Sequence, residues 1–129
     1  MIGYVTLGAA DFGASLTFYD AVLAVLGHER SFADADSGWA AWGAATGAKL
    51  FICKPFDGNP PTVGNGSMVA LMCADDEMVR RAHAAALATG GRDEGAPGTR
   101  EAYGPDFFVA YVRDPFGNKL SLFHDHSAG

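Results

Sequence analysis

The first 54 residues have the hydrophobic pattern of a strand, a helix and then three further strands. Residues 4–7 are β-branched and aromatic, which predicts a strand. Asp11 is a suitable helix N-cap, and Gly27 is placed to follow that helix in the left-handed conformation. A hydrophobic stripe at steps of four and three predicts the packed face of the helix: Phe12, Leu16, Tyr19, Leu23 and Leu26. The three further strands are predicted at residues 28–33, 38–43 and 48–54.

The same pattern returns after a loop rich in Gly, Pro and Asn at residues 55–66. A strand is predicted at 67–72, Asp75 is a second N-cap, and residues 78–89 form an Ala-rich helix ending at Gly90-Gly91. Five positions recur 64 residues later: Val5, Leu7, Asp11, Leu23 and Gly27 match Val69, Leu71, Asp75, Leu87 and Gly91. Later the offset is 70, and Lys49-Leu50 matches Lys119-Leu120. We therefore predict one domain with a duplicated unit: repeat one at 1–54, a linker at 55–66 and repeat two at 67–125.

The end of the chain predicts a hairpin. Residues 107–113 and 119–124 are rich in aromatic and aliphatic residues, and they flank the turn Asp114-Pro115-Phe116-Gly117-Asn118. Pro115 presets φ at the second turn position, and Gly117 accepts a positive φ.

Composition limits the classes of partner. The 129 residues carry a net charge of −6, which predicts no nucleic-acid partner and weakly favours cationic ligands. Because the sequence shows neither a signal peptide nor a membrane-spanning stretch, we expect a soluble cytoplasmic protein with no membrane partner. Cys53 and Cys73 lie 20 residues apart and are interpreted as reduced thiols.

On these features the sequence resembles the vicinal oxygen chelate superfamily, which includes glyoxalase I, extradiol dioxygenases and bleomycin resistance proteins. The resembling features are Asp11, Phe18-Tyr19, Gly64-Asn65-Gly66, Gly90-Gly91 and the Asp-Pro-x-Gly-Asn turn. Phe116 departs from the family pattern, which usually has a second acidic residue there. The resemblance implies an α+β fold in which two βαβββ repeats form a curled mixed sheet around a shared cavity, and it implies a homodimer.

The resemblance also places metal ligands on the first and last strands of each repeat. Those positions hold Tyr4, Phe51, Met68 and Ser121, and the repeat offsets of 64 and 70 relate them in the same pairs. Their side chains are poor substitutes for the imidazole and carboxylate ligands that divalent metals prefer. The Glu that removes a proton in glyoxalase I is missing from all four positions. We therefore predict no metal at these positions and no cofactor.

Histidines elsewhere offer another metal site only if a third ligand joins them. His28 and His83 are predicted to lie apart from each other and from the cavity. His124 and His126 have the spacing of residues on one side of a strand. Because the sequence indicates no third ligand, we interpret His124 and His126 as a chance pair of exposed residues near the C-terminus.

Strand alternation from the four positions predicts the cavity lining. The predicted ligand-binding residues are Tyr4, Thr6, Trp39, Phe51, Met68, Met72, Tyr111, Ser121, Phe123 and Arg100. The same alternation also turns Cys53, Ala70 and Val109 inward, and the offset of 70 matches Trp39 to Val109, which adds Trp39 to the inward set. Arg100 belongs to a Gly- and Pro-rich segment, residues 90–105, that we expect to overhang the cavity as a lid. Tyr111 is the candidate catalytic residue, as a hydrogen-bond donor or weak acid. Equally, these residues can fill a closed core.

Three functions fit this pattern. The first is a metal-free protein that binds a small apolar or aromatic ligand in the central cavity. The second is a glyoxalase-like lyase or isomerase, or a dioxygenase-related enzyme, with a relocated metal or tyrosine-based acid catalysis. The third is an interaction protein with a filled interior. Ligand binding without turnover, a perturbed acid–base group in the cavity, and a dry packed interior would distinguish them.

Overall fold

A computed structural model describes residues 1–128 as ten main elements and two short 3₁₀ turns. The first half contains β1 (Tyr4–Gly8), α1 (Phe12–Val25), β2 (Arg30–Asp34), β3 (Trp39–Trp42) and β4 (Lys49–Cys53). The second half contains β5 (Val69–Met72), α2 (Asp76–Ala88), β6 (Arg92–Arg100), β7 (Gly104–Arg113) and β8 (Lys119–Asp125). The 3₁₀ turns are Glu101–Tyr103 and His126–Ala128. Neither α-helix within residues 1–128 has the length and apolar character needed to cross a bilayer.

The two halves form separate four-stranded sheets with the same topology. Their strand orders are β1-β4-β3-β2 and β5-β8-β7-β6, and only the first pair in each sheet is parallel. Thr6 lies opposite Phe51 in the first sheet, and Ala70 lies opposite Ser121 in the second. These pairs are related by the offsets of 64 and 70 that the sequence shows. The predicted α+β fold of two βαβββ repeats is confirmed.

Both predicted N-caps are present. Asp11 Oδ1 accepts a hydrogen bond from Ala14 N at 3.0 Å, and Asp75 Oδ1 accepts one from Met78 N at 2.8 Å. Each bond satisfies an amide that the first turn of a helix leaves without a helical partner. The aspartates therefore set where α1 and α2 begin.

The glycines after the two helices are not conformationally equivalent, although the sequence offset pairs Gly27 with Gly91. Gly27 has a φ of +89°, and in the second half it is Gly90 that has a positive φ, of +92°. A Cβ on Gly91 would lie 2.7 Å from both Ala86 O and Phe18 Cε2. Gly91 is therefore required for close packing, because α1 reaches the second half at this point.

Helix α1 buries a wider face than its hydrophobic stripe predicts. Its buried residues are Ser15, Phe18, Tyr19, Val22 and Leu23. The prediction omitted Phe18 and Val22, which are fully buried. The ring of Tyr19 packs against Trp42 of β3, while Phe18 approaches Gly91 in the other half. A single stripe underestimates this face because α1 packs against both halves of the molecule.

The prediction of a lid at residues 90–105 is wrong. Most of this segment is β6, an edge strand that pairs with β7 in antiparallel orientation. Its register shifts between Asp93 and Gly95, between Gly95 and Gly98, and again after Thr99. Gly and Pro are tolerated in strands at edges and bulges, so the same composition is compatible with a bulged edge strand.

The helices cover one face of each sheet. We call the opposite face of each sheet its open face. The helix-covered faces carry the buried hydrophobic residues Ala40, Trp42, Leu50, Ile52, Phe108, Ala110, Val112, Leu120 and Leu122. Side chains alternate across a strand, so their sequence neighbours occupy the open faces. The open faces carry Tyr4, Thr6, Trp39, Phe51 and Cys53 in the first sheet, and Ala70, Met72, Phe107, Tyr111, Ser121 and Phe123 in the second.

A buried carboxylate joins the two halves. Asp114, in the turn between β7 and β8, is 2% exposed, and its Oδ2 accepts a 2.6 Å hydrogen bond from the Tyr19 hydroxyl of α1. Asn118 Nδ2 donates to the same Oδ2 at 2.8 Å and to Gly8 O of β1 at 2.9 Å. The turn thereby holds α1 and β1 against the second half.

We expect this junction to weaken in alkali. Burial, and next the Asp114 charge, raise the pKa of Tyr19 well above its ordinary value of 10.0. The neutral phenol makes its full contribution to the free energy of unfolding at a pH below the pKa that Tyr19 has in the unfolded chain. That contribution is lost as the pH rises through the higher pKa of Tyr19 in the folded protein. Urea unfolding should therefore show a lower free energy of unfolding above about pH 10. Tyr19→Phe should be less stable at neutral pH and lose less on going to alkali; an equal alkaline loss would contradict this assignment.

Candidate functional site

The open face of the first sheet is an aromatic surface. The ring centroids of Tyr4 and Phe51 are 5.3 Å apart, and those of Trp39 and Phe51 are 6.0 Å apart, both with edge-to-face orientation. Tyr4 is 64% exposed and Trp39 is 36% exposed. Three of the predicted ligand-binding residues thus lie together with accessible rings. Such rings offer both apolar area and polarised edges to a flat ligand.

Phe32 belongs to the same face but was not predicted. It lies opposite Ala41, which lies opposite Phe51, which in turn lies opposite Thr6. Residues paired across strands point to the same face. Thr6 and Phe32 are both exposed, so the row ends in a hydroxyl at one side and a phenyl ring at the other. Alternation within β2 cannot reveal this, because its register shifts between Arg30 and Phe32.

The open face of the second sheet contains another aromatic cluster. Phe107 and Phe123 stack with centroids 5.3 Å apart, and Tyr103 packs edge-on against Phe107 at 5.9 Å. Phe123 was predicted, whereas Phe107 was missed; extending the alternation from Val109 by two residues would have found it. Next to this cluster is a cavity of about 540 Å³ lined by Tyr103, Asp106, Phe107, Tyr111, Asp125 and Ser127.

Tyr111 lies at this cavity between two cations. Arg100 Cζ is 5.9 Å from the centre of its ring and Lys119 Nζ is 5.3 Å from it. Burial, with a further contribution from Tyr103, raises the pKa of Tyr111 despite the nearby Arg100. The side chain is therefore a neutral phenol at physiological pH. A phenol in this state donates a hydrogen bond well but releases its proton reluctantly.

Arg100 is held by its own strand. Its Nη2 donates to Ala96 O at 2.8 Å and its Nη1 donates to Gly98 O at 3.0 Å. Gly95 makes room for this arrangement, since a Cβ there would lie 3.1 Å from Arg100 Nη2 and 3.0 Å from Tyr111 Cδ2. The guanidinium is thus fixed over the Tyr111 ring, and it stabilises the bulged part of β6.

The four positions that correspond to metal ligands do not form a divalent metal site. Tyr4 and Phe51 pack ring against ring on the open face of the first sheet, whereas Ser121 lies buried in the second sheet, opposite Ala70 and Tyr111. Met68 precedes β5 and is exposed. A phenol, a phenyl ring, a thioether and a neutral hydroxyl do not provide the nitrogen and carboxylate donors of a catalytic zinc, iron or nickel site.

A groove with a cavity of about 620 Å³ adjoins β5 rather than the open face of the first sheet. It is lined by all of residues 68–72, and on the other side by residues of β1, α1 and β3 that include Val5, Leu23 and Trp42. The predicted residues Met68 and Met72 therefore face this groove, and Met72 is 76% exposed. This is separate from the aromatic surface around Phe51.

The thiols are not activated. Cys53 and Cys73 are both free cysteines within residues 1–128, which agrees with their interpretation as reduced thiols. Burial raises the pKa of Cys73 to about 11, and burial also raises the pKa of Cys53. A reactive cysteine needs the opposite shift, because the thiolate is the nucleophile.

The interpretation of the C-terminal histidines as an isolated pair is wrong. Asp76, the first residue of α2, lies beside them, and its Oδ1 is 2.8 Å from His126 Nε2. The prediction failed because the third residue is 50 positions away in the sequence and is brought close only by the packing of α2 beside β8.

The fold matches known structures. The chain is similar to a glyoxalase/bleomycin resistance protein from Albidiferax ferrireducens T118, with 35% identity, a TM-score of 0.85, and 96% of this chain and 98% of that chain covered. It shares its fold with a glyoxalase-related enzyme from Fulvimarina pelagi (20% identity, TM-score 0.76, 97% and 88% covered). The same is true of a lactoylglutathione lyase from Agrobacterium tumefaciens (20% identity, TM-score 0.68, 96% and 92% covered).

No curated protein matches the chain in sequence. The family model described as Glyoxalase/Bleomycin resistance protein/Dioxygenase superfamily matches residues 1–122. This match covers nearly the whole chain and agrees with the duplicated βαβββ topology. The chain belongs to the glyoxalase/bleomycin resistance protein/dioxygenase superfamily.

Proposed function

We propose that this protein binds a small apolar or aromatic ligand on the open faces of its sheets, without a metal at the four family ligand positions. The observation that carries the proposal is the replacement of two of those ligands by aromatic rings that form a contiguous surface. Tyr4 and Phe51 occupy two of the four positions and contact each other, and Trp39 extends the surface. Accessible aromatic rings next to a few hydroxyls favour a flat ligand that is largely apolar.

Charge favours a neutral or cationic ligand. Asp106 and Asp125 line the cavity beside Tyr103 and Tyr111, and the whole chain has a net charge of −6. The basic groups near Tyr111 are partly engaged, since Arg100 donates to backbone oxygens of β6. An anionic ligand would meet the two carboxylates at the cavity and the repulsion of the chain's net charge. A sequestering or sensing protein for an aromatic compound fits these features best.

The second candidate function is a lyase or isomerase that uses Tyr111. It is favoured by the position of the Tyr111 phenol at the cavity beside Phe107, with Arg100 and Lys119 on its ring. Tyr111 would donate a hydrogen bond to a ligand carbonyl as negative charge develops on its oxygen. Turnover of a hemithioacetal by the chelator-treated protein, lost in Tyr111→Phe, would favour this function over binding alone.

We further propose that two copies associate, as the resemblance implies. The strands β1 and β5 are at the ends of their sheets, each with one edge that has no strand partner within residues 1–128. Exposed apolar side chains accompany these edges, namely Ile2, Tyr4, Met68 and Met72. An exposed apolar strand edge is suited to pairing with another chain. A second copy would cover it without any additional protein.

The association predicts a concentration-dependent dimer. Met72→Lys should shift the chain to the monomer in sedimentation or light-scattering measurements, because it places a charge where the apolar edge would be buried. Leu87→Lys is the control, since Leu87 is an exposed apolar residue of α2 away from both edges. A wild-type chain that stays monomeric at high concentration would contradict the proposal, as would equal effects of the two variants.

The binding proposal predicts different effects for two phenylalanines. Phe51→Ala should weaken the binding of the neutral dye N-phenylnaphthylamine about tenfold or more, because it removes the ring between Tyr4 and Trp39. Phe56→Ala should leave the affinity unchanged, because Phe56 is fully exposed in the loop after β4. Dye fluorescence measured against protein concentration checks both results. Equal affinities of the two variants would contradict binding at the aromatic surface.

A further inference from the structure

Three side chains meet where α2 begins and β8 ends. Asp76, His124 and His126 each offer a ligand atom, and these atoms all lie within 4.8 Å of one another. Asp76 Oδ1 is 2.8 Å from His126 Nε2, and the two imidazole rings are 4.6 Å apart between centroids in a T-shaped arrangement. Two imidazoles and one carboxylate are a donor set that divalent transition metals prefer.

The Asp76 carboxylate is available as a ligand because Asp75, not Asp76, is the N-cap of α2. Asp75 accepts the hydrogen bond from Met78 N that begins α2, so Asp76 is not needed for that role. Its carboxylate is half-buried and directed to His126. The helix start therefore fixes one prospective ligand, and the last residues of the hairpin bring the other two.

The orientation of His124 also suits coordination. Its Nδ1 is 3.2 Å from the carbonyl oxygen of Cys73, which directly follows β5. A carbonyl can only accept, so this contact assigns the hydrogen to Nδ1 and leaves the lone pair on Nε2. Metal-bound histidines in proteins are commonly fixed in this manner by a backbone carbonyl. The hydrogen bond to the Cys73 carbonyl thus fixes the His124 ring for coordination. It is a second observation, independent of the proximity of the three side chains.

We propose that Asp76, His124 and His126 form a binding site for a divalent transition metal ion of the zinc class. Three protein ligands leave at least one position for water, so the ion would exchange with solvent. On binding, the hydrogen between Asp76 Oδ1 and His126 Nε2 is displaced and the neutral imidazole carries its hydrogen on Nδ1 instead, so that Nε2 offers its lone pair to the metal.

This site is distinct from the open faces. His124 and Ser121 are three positions apart on β8, which directs their side chains to opposite sides of the sheet. The site is therefore on the helix side, while the aromatic cluster around Phe107 and Phe123 is on the other side. A metal bound here would connect α2 to the end of β8 and would not restore chemistry at Tyr4 and Phe51. The proposal does not depend on the proposed function.

The test is a titration of tag-free, chelator-treated full-length protein with Co²⁺, followed by competition with Zn²⁺. The visible absorption of bound Co²⁺ reports coordination directly and does not depend on any activity. We expect one ion per chain, displaced by Zn²⁺. His126→Ala and Asp76→Asn should each weaken Co²⁺ binding about tenfold or more, by loss of a direct ligand.

His28→Ala is the matched control, because His28 is an exposed histidine that follows α1, outside the cluster. It should bind Co²⁺ as the wild type does. Circular dichroism establishes that each variant is folded, and His126 is exposed enough to be replaced without opening the core. The proposal is overturned if the wild type binds no more Co²⁺ than the His124→Ala/His126→Ala double variant, or if either single variant keeps wild-type affinity.

Discussion

Replacing Asp114 by Ala is expected to cost about 3 to 5 kcal/mol of the free energy of unfolding. The carboxylate is 2% exposed, and it accepts from the Tyr19 hydroxyl, from the amides of Phe116, Gly117 and Asn118, and from Asn118 Nδ2. Removing it leaves several buried donors without an acceptor and opens the junction between the halves. A loss of this size is a large fraction of the stability of an ordinary domain. Urea denaturation followed by circular dichroism measures it.

Two milder variants separate the contributions. Asp114→Asn preserves the shape of the side chain but places an NH₂ group against the donors that the carboxylate accepts from. Its free energy of unfolding should therefore fall between those of the wild type and Asp114→Ala. Tyr19→Phe removes one donor and leaves the turn intact, at an expected cost of about 1 to 3 kcal/mol. If Asp114→Ala costs less than Tyr19→Phe, the turn does not hold the halves together as described.

Gly91→Ala should be the next most damaging single change, at about 2 to 3 kcal/mol. Its added Cβ would lie 2.7 Å from Ala86 O and Phe18 Cε2, and 3.0 Å from Arg113 O. Two of these three atoms belong to the backbone, so rotating a side chain cannot relieve the overlap. Helix α1 would have to move away from the second half. Thermal and urea unfolding report the loss.

Gly27→Ala is the control for this prediction. Gly27 has a φ of +89°, and there is open space around the position of its Cβ. The substitution therefore introduces only backbone strain, of about 1 kcal/mol. We expect Gly91→Ala to be clearly more destabilising, although the sequence repeat aligns the two glycines. The reverse order would show that α1 does not approach Gly91 closely.

Local chemistry made much of the fold predictable. Asp11 and Asp75 cap helices because a carboxylate before a hydrophobic stripe satisfies free amides, and that relation is visible in sequence. The offsets of 64 and 70 revealed the duplication, and the strand pairing repeats with them, since Thr6 lies opposite Phe51 as Ala70 lies opposite Ser121. The repeated topology was therefore predictable, whereas the pairing register came from the structure.

Features that depend on packing between distant segments were not predictable. The width of the buried face of α1 depends on Gly91, which lies in the other half. Strand β6 was mistaken for a lid because bulges allow Gly and Pro in an edge strand. Asp76 joins His124 and His126 only through the packing of α2 beside β8.

The candidate site was predicted in outline from the family resemblance and the repeat. The resemblance singled out Tyr4 and Phe51, and the offset of 70 added Trp39; the structure shows the Phe51 ring in contact with both of the others. Alternation missed Phe32, because a bulge in β2 interrupts it. Met68 and Met72 were assigned to the same cavity, whereas they line a separate groove beside β5.

The central claim is that the aromatic open face binds a ligand without metal at the family positions. Its most direct test is a titration of chelator-treated wild-type protein with N-phenylnaphthylamine, followed by tryptophan emission. Trp39 is 36% exposed on the open face, whereas Trp42 is 1% exposed in the core, so bound dye should mainly affect Trp39. We predict saturable quenching that is absent in Trp39→Phe and unchanged by added Zn²⁺ or Ni²⁺. Quenching that appears only after metal is added, or none at all, would contradict the account.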